Sequence, residues 1–189
     1  MRKSNLNSDS SNFRPISKTS NLSKLLERIA FLQLNSFIEN NSLLSPIQFG
    51  FRKKRSIDSL LLSLSSNWRS LLDSRPSPLI GVVSLDISKA FDNINHYILM
   101  YKLQHFFNLS LASSSWLSDY LSNRKVITVV NGCPSDSLII NRGVPQGGIL
   151  SPLLFNLYIN DIASVSLNGS LSLYADDCLL YCSGINQAD

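Results

Sequence analysis

Two adjacent carboxylates, Asp176 and Asp177, lie inside the apolar, strand-like segment Leu171–Tyr181. This arrangement is costly, because neighbouring like charges repel and burial disfavours ionisation. A divalent cation removes that cost, so a third carboxylate is the next residue to look for. Asp86 is the candidate, because it ends the β-rich run Leu79–Asp86. If the two segments are neighbours in one sheet, three carboxylates converge at one edge and suit two hard cations. A solvated turn is the alternative for the acid pair alone.

A second unusual segment, Arg142–Pro152, combines three glycines and two prolines with a single glutamine, Gln146. Glycines let a backbone approach a ligand closely, and prolines fix the course of a loop. A tight connection before a helix would explain the glycines and prolines. It does not explain Gln146 in their midst.

Composition favours one domain, or a piece of a larger one: the chain has 189 residues, of which 44% are hydrophobic. Residues 1–80 carry 12 Lys/Arg and 5 Asp/Glu, whereas residues 81–189 carry 5 and 8. This asymmetry suggests that one region meets a polyanion and the other holds cations. The three cysteines form no CxxC pair and have no histidine at ligand spacing, which argues against a disulfide framework or a zinc site. We expect an intracellular protein without signal peptide or membrane span.

Hydrophobic periodicity predicts helices and strands in irregular alternation, which is typical of an α+β fold. Asn131-Gly132 is a hairpin signal, and Ala175-Asp176-Asp177 is predicted at the tip of a second hairpin. The predicted helices cover residues 22–39, 56–73, 93–106, 111–121 and 153–162, and the predicted strands and hairpins cover 79–86, 126–140 and 171–182.

Five segments together resemble the ordered motifs of reverse transcriptases. They are Phe13–Ser17, Gln48–Arg52, Ser84–Asp92, Gly143–Pro152 and Tyr174–Asp177. The motif sequences are most similar to those of non-LTR (LINE-type, jockey-like) retrotransposons. The segment Phe155–Ile162 of this chain also resembles a segment of that group. The resemblance spans residues 12–182, and five ordered motifs make it highly specific.

The resemblance implies the fingers and a partial palm of a right-hand polymerase. Residues 1–78 would form the fingers, with an excursion near 107–142. Residues 79–106 and 143–189 would form an incomplete palm, an antiparallel sheet backed by helices. The lysine-bearing palm segment, the primer grip and the thumb are expected to be absent, as is an endonuclease domain.

For catalysis, the resemblance implies that Asp86, Asp176 and Asp177 hold two Mg²⁺ ions, with Mn²⁺ as an alternative. The backbone carbonyl of Ile87 would be a further ligand of the metal ion that binds the nucleotide. Such ions would activate the primer 3′-hydroxyl and neutralise the departing pyrophosphate.

For substrate binding, the resemblance implies that Arg14, Gln146 and Gly147 contact the incoming dNTP. Phe91 would be the aromatic gate that clashes with a ribose 2′-hydroxyl, although simple core packing also explains it. Lys3 is the single candidate for an upstream lysine that contacts the triphosphate.

For nucleic-acid binding, the resemblance implies that Tyr174 supports the primer end. It also implies that a run of four basic residues contacts the template phosphates, although a solvated charge run explains any one of them nearly as well. Its residues are Arg52, Lys53, Lys54 and Arg55.

The expected function is therefore RNA-directed DNA polymerase activity in retrotransposition, with an RNA template, a DNA primer and dNTPs as partners. A truncated, catalytically silent nucleic-acid-binding remnant is the alternative of a different class. A group II intron or telomerase-like polymerase is the alternative within the family.

Overall fold

The computed structural model describes residues 16–165 and 168–184. Helices and strands alternate irregularly along the chain. In chain order they are α1 (Asn21–Asn40), α2 (Ile57–Leu72), β1 (Leu79–Asp86), α3 (His96–His105), α4 (Leu111–Leu121), β2 (Arg124–Val126), β3 (Val129–Val130), β4 (Cys133–Pro134), β5 (Leu138–Ile140), α5 (Ser151–Ile159), a 3₁₀ turn (Asn160–Ser164), β6 (Ser170–Tyr174) and β7 (Asp177–Gly184). The predicted α+β class is confirmed.

The first two helices begin at serine caps. Ser20 accepts a hydrogen bond from the Ser23 amide at the start of α1. Ser56 and Ser59 form a reciprocal capping box at the start of α2, which satisfies amides that the helix cannot pair internally. Both helices confirm the sequence prediction to within two residues.

The sheet that carries the acids has three antiparallel strands in the order β1-β7-β6. Strand β1 pairs with β7 along its whole length, from Leu79 opposite Gly184 to Asp86 opposite Asp177. The predicted juxtaposition of the Asp86 strand and the Asp176-Asp177 hairpin is therefore confirmed. Helix α2 packs against this sheet through Leu60 and Leu64, which contact Tyr181.

A separate two-tiered hairpin arm is formed by β2 with β5 and β3 with β4. Its tip is Asn131-Gly132, where φ is 50° and 80°. Positive φ at both positions is what a type I′ turn requires, and Asn-Gly is its preferred sequence. The arm is exposed along its length apart from Arg124.

The main core lies among α3, α4 and α5, and Ile87, which follows β1, packs against it. Leu99, Leu103, Leu121 and Leu154 are essentially inaccessible there. Helix α5 begins at Ser151 rather than 153, because Pro152 fits the first turn of a helix, where its missing amide hydrogen costs nothing. It ends at Ile159, so the predicted end at 162 falls in the 3₁₀ turn.

Across the described ranges, no helix is both long and apolar enough to cross a membrane. The division into fingers and palm remains a prediction.

Candidate active site

The register of the sheet brings two of the three predicted acids face to face. Asp86 and Asp177 are directly opposite in the β1–β7 ladder. Opposite residues in an antiparallel pair lie on the same face, with Cβ atoms about 4.5–5.5 Å apart. Asp86 and Asp177 are exposed and Asp176 is half-buried. The hairpin tip differs from the prediction, because Asp177 is the first residue of β7 and the two-residue turn is Ala175-Asp176.

The three acids supply the oxygen ligands that hard divalent cations take in proteins. Within residues 16–165 and 168–184, no group of three or more Asp, Glu, His or Cys side chains is placed to hold a metal ion, so the structure pairs Asp86 with Asp177 but does not gather all three predicted acids into one metal-binding cluster. The fit of a cation therefore depends on the donor chemistry and on the shared sheet edge. An unscreened Asp86–Asp177 pair is unfavourable in an antiparallel ladder, and a bound cation would reverse the sign of that contribution.

The segment Gln48–Gly50 packs against the Ala175-Asp176 turn and hydrogen-bonds to it. The Gln48 side chain is buried and pairs with both backbone groups of Ala175: its Oε1 accepts from the Ala175 amide at 2.9 Å, and its Nε2 donates to the Ala175 carbonyl at 3.2 Å. The sequence places Gln48 in a motif but gives it no role. No local signal could have shown the contact, because it joins residues far apart in the chain.

Gln146 lies in the loop before α5 and contacts Asp92, which follows β1 by six residues. Its Nε2 donates to the two carboxylate oxygens of Asp92 at 2.9 and 3.0 Å, which fixes the orientation of the amide. The Gln146 backbone carbonyl accepts from the Ser17 amide at 2.9 Å. Gly147 follows with φ +94°, a conformation that favours glycine. Asp92 is a further site residue that sequence analysis missed.

Glu27 fixes the same loop from the other side. This carboxylate is 1% exposed, and its Oε2 accepts from the Ile149 amide at 2.6 Å. It therefore anchors the last residues of the loop before α5, whose N-cap residue, Leu150, makes no side-chain cap hydrogen bond. Burial and the neighbouring Glu27 raise the pKa of Tyr120 to about 12. Helical spacing alone places Glu27 on α1 and gives no indication of this contact.

Phe91, five residues after Asp86, lies in an aromatic cluster. Its ring stacks on Phe155, with centroids 4.9 Å apart and planes at 25°, and meets the edge of Phe51 at 6.3 Å. Phe91 is half-buried. The packing explanation and the sugar-gate explanation are thus compatible, since one face of the ring is anchored and part of it remains accessible.

The basic run divides into anchored and free side chains. Arg52 is bound by the Glu39 carboxylate at 2.9 and 3.1 Å and by the Ser45 carbonyl at 2.9 Å. The hydrogen bonds from Arg52 lower the pKa of Glu39. Arg55 stacks over the Phe49 ring at 4.8 Å and donates to the Pro46 carbonyl. These contacts favour a structural role for both arginines, in contrast to the expected phosphate contacts, whereas Lys53 and Lys54 are exposed.

The remaining predicted site residues have the following positions. Ile87 directly follows β1 and packs against the main core. Tyr174 lies opposite Asp177 across the hairpin and packs against the α2 side of the sheet. Arg14 and Lys3 lie outside the described residues. Ser17, three positions after Arg14, contacts the Gln146 loop.

Comparison with known proteins agrees with this geometry. A probable RNA-directed DNA polymerase from the transposon BS of Drosophila melanogaster is 31% identical over 90% of the chain. The Pol polyprotein of the retrotransposable element R2 of Popillia japonica is 32% identical, also over 90%. The chain spans 19% and 25% of these relatives' lengths.

Among solved structures, a telomerase from Candida tropicalis matches 89% of the chain and 29% of its own length, with a TM-score of 0.63 and 13% identity. This similarity supports the polymerase fold alone. The family model described as "Reverse transcriptase (RNA-dependent DNA polymerase)" matches residues 1–189. The chain belongs to the reverse transcriptase family, and its relatives are polymerases of non-LTR retrotransposons.

Proposed function

We propose that this chain is the nucleotidyl-transfer core of an RNA-directed DNA polymerase that acts in retrotransposition. The observation that carries the proposal is the pairing of Asp86 with Asp177, beside the turn residue Asp176. A metal-dependent polymerase needs carboxylates from separate segments at one place, and the register supports this by setting Asp86 opposite Asp177. Family membership supports the same reaction class.

In this reaction the primer 3′-oxygen forms a bond to the α-phosphorus of a dNTP. The bond from that phosphorus to the β-phosphate bridging oxygen breaks, pyrophosphate leaves, and the hydroxyl proton passes to solvent. Asp86, Asp176 and Asp177 would hold two Mg²⁺ ions, or Mn²⁺ in their place, with the Ile87 carbonyl as a further ligand. Bound cations supply positive charge that activates the hydroxyl and stabilises the leaving group.

The dNTP would lie between the acid edge and the loop of Gln146 and Gly147. Gln146 would bind it through the carbonyl oxygen that the contact with Asp92 leaves available. Arg14 would meet the triphosphate, because the Ser17–Gln146 hydrogen bond ties the segment after Arg14 to this loop. Phe91 would exclude the ribose 2′-hydroxyl.

The RNA template and DNA primer would cross the basic first half of the chain. Lys53 and Lys54 are the exposed cations of the basic run, so they are the residues proposed for template phosphates. Tyr174 would support the primer end from its place opposite Asp177.

Primer extension on an RNA template with Mg²⁺ and dNTPs tests the proposal. Wild type should extend the primer, and Asp176→Asn should lose extension by at least about 100-fold, the scale expected for a residue that holds transition-state charge. Asp136→Asn, an exposed acid on the hairpin arm, is the matched control and should retain activity. RNA binding without incorporation by wild type would overturn the proposal in favour of the silent remnant.

A further inference from the structure

We infer that Gln48 is a positioning residue that sets the conformation of the Ala175-Asp176 turn and thereby the placement of Asp176 and Asp177. This inference rests on the proposed function of Asp176 and Asp177. Gln48 itself contacts neither carboxylate. Its partners are the backbone groups of the residue immediately before them.

The amide of Gln48 acts as a substitute peptide group. Its Oε1 accepts from the amides of Ala175 at 2.9 Å and Gly50 at 2.8 Å, while its Nε2 donates to the Ala175 carbonyl. Gln48 is only 2% exposed, so water does not compete for these bonds. Among the side chains of similar length, glutamine alone offers an uncharged donor and acceptor at the tip.

The backbone around Gln48 extends the acid-bearing sheet. Gln48 forms a parallel bridge with Leu173 of β6. The Phe49 amide donates to the Leu173 carbonyl at 2.8 Å, and the Leu173 amide donates to the Ile47 carbonyl at 2.9 Å. The segment is thereby fixed beside the strand that leads into the turn, and the Gln48 side chain extends the pairing to Ala175, two residues further along.

The turn needs such support because of the conformation of Ala175. Its φ is +56°, in the left-handed region that residues with a Cβ adopt at a cost of order 1 kcal/mol or more. In a two-residue hairpin turn, glycine is the usual residue at a position with positive φ. Hydrogen bonds to both the N–H and the C=O of Ala175 favour this one peptide arrangement over its competitors.

Gly50 allows the support to come close enough. A Cβ built on Gly50 would lie 2.2 Å from the Ala175 nitrogen, so no side chain fits between the two segments. The Gly50 carbonyl in turn accepts from the buried Asn156 side chain of α5 at 2.9 Å. A continuous set of contacts therefore runs from the core helix through Gly50 and Gln48 to the turn.

Two substitutions separate this positioning role from a general effect on folding. Gln48→Met keeps the length and removes both hydrogen-bonding groups, whereas Gln48→Glu keeps the acceptor and removes the donor. Gln33→Met makes the same chemical change at an exposed site on α1 and serves as the matched control. Each variant is compared with wild type by amide hydrogen exchange, by equilibrium Mn²⁺ binding and by the kcat and KM for dNTP in primer extension.

In Gln48→Met, the Ala175 amide should exchange about 10-fold faster or more, because its acceptor is removed, while the β7 amides stay protected. The Kd for Mn²⁺ should rise by about 10-fold or more, and kcat should fall with little change in KM, since small misplacement of catalytic groups is costly. Gln48→Glu should change Ala175 exchange less, because the acceptor is kept, but should also lower Mn²⁺ affinity and kcat, because a buried carboxylate would face the Ala175 carbonyl. Gln33→Met should change none of these quantities.

Unchanged exchange at Ala175 in Gln48→Met would overturn the inference. So would faster exchange combined with wild-type Mn²⁺ affinity and kcat, because the contact would then be structural only. Failure of wild type to bind Mn²⁺ or extend a primer would instead contradict the proposed function, and this inference would fall with it. If Gln48→Met does not fold, Gln48→Glu is judged by Mn²⁺ affinity and kcat, and wild-type values of both would overturn the inference.

Discussion

At the residue scale, the facing carboxylates Asp86 and Asp177 repel each other but can also bind a cation together. Like charges directly opposite in an antiparallel pair destabilise it by a fraction of a kcal/mol. A cation bound between them would convert that repulsion into a favourable interaction. We therefore expect the same substitution to have opposite effects with and without metal.

Without divalent cations, Asp177→Asn should be more stable than wild type by about 0.2–1 kcal/mol, because it removes the cross-strand repulsion. Urea unfolding in a chelating buffer measures this difference. Added Mn²⁺ should then raise the unfolding midpoint of wild type and not that of the variant. Asp119→Asn, an exposed acid on α4, should show neither effect. A metal-free Asp177→Asn protein less stable than wild type would contradict the repulsion between the two carboxylates.

Phe91 is predicted to control sugar selectivity. Phe91→Val should increase incorporation of rNTP relative to dNTP, because the smaller side chain no longer occupies the space of a 2′-hydroxyl. It should also cost stability, since valine cannot stack on Phe155. Competitive primer extension measures the ratio, in which the dNTP rate of the same variant is the internal control. Unchanged sugar selectivity would leave Phe91 with a packing role alone.

The Glu39–Arg52 pair is predicted to make stability sensitive to acid. Hydrogen bonding to Arg52 lowers the pKa of Glu39 below its usual value of 4.5. A carboxyl with a depressed folded-state pKa contributes stability above its unfolded pKa, and that contribution disappears as the pH falls below about 4.5. Urea unfolding of Glu39→Gln should therefore show a weaker loss of stability between pH 5 and pH 3 than wild type, by less than about 1 kcal/mol for this partly exposed pair. Identical pH profiles would argue against the pair.

At the element scale, the local sequence pattern was sufficient to locate a helix, strand or turn whose characteristic residues all lie within that one element. The apolar stripe and serine cap of α2, the Asn131-Gly132 turn and the β1 run were all correctly located. The position of Asp177 in β7 was missed, because two-residue and three-residue turns are hard to distinguish without the partner strand. The roles of Gln48 and Glu27 were inaccessible, since each depends on a contact between distant elements that periodicity does not encode.

Glu27 should be essential for the position of α5 and of the loop before it. Glu27→Leu removes the acceptor of the partly buried Ile149 amide and should destabilise the protein by about 1–3 kcal/mol. Glu27→Gln keeps an oxygen acceptor and should cost less. Denaturant unfolding gives both values, and Ser114→Ala is the buried control, because this hydroxyl has no hydrogen-bond partner in the described part of the chain. Equal effects of Leu and Gln would exclude this anchoring role of the Glu27 carboxylate.

At the scale of the whole molecule, charge separates the chain into a basic first half and an acidic second half. Burial refines this picture, because Arg52 and Arg55 are used within the protein and Lys53 and Lys54 remain at the surface. The sequence alone could not make this distinction, since all four residues are adjacent and equally basic.

Replacing Lys53 and Lys54 together by alanine should weaken binding to a primer-template duplex of any sequence. The logarithm of the binding constant falls as the logarithm of the salt concentration rises. For each phosphate that is no longer bound, this negative slope should become shallower by about 0.7–0.9, because fewer counterions are released on binding. Fluorescence anisotropy at several salt concentrations measures both quantities. Lys24→Ala on the exposed face of α1 is the control. An unchanged slope in the double variant would remove these lysines from the nucleic-acid surface.

In the proposed active site, β1 and the β6–β7 turn hold the same cation. Fe²⁺ can substitute for Mg²⁺, and with ascorbate and peroxide it cleaves the backbone near the place where it binds. We predict cleavage at two sites in the folded wild-type chain, near Asp86 and near Asp176-Asp177. Both should disappear together in Asp86→Asn and in excess Mg²⁺. Cleavage at only one of these sites, at neither, or at both in Asp86→Asn would contradict a shared site.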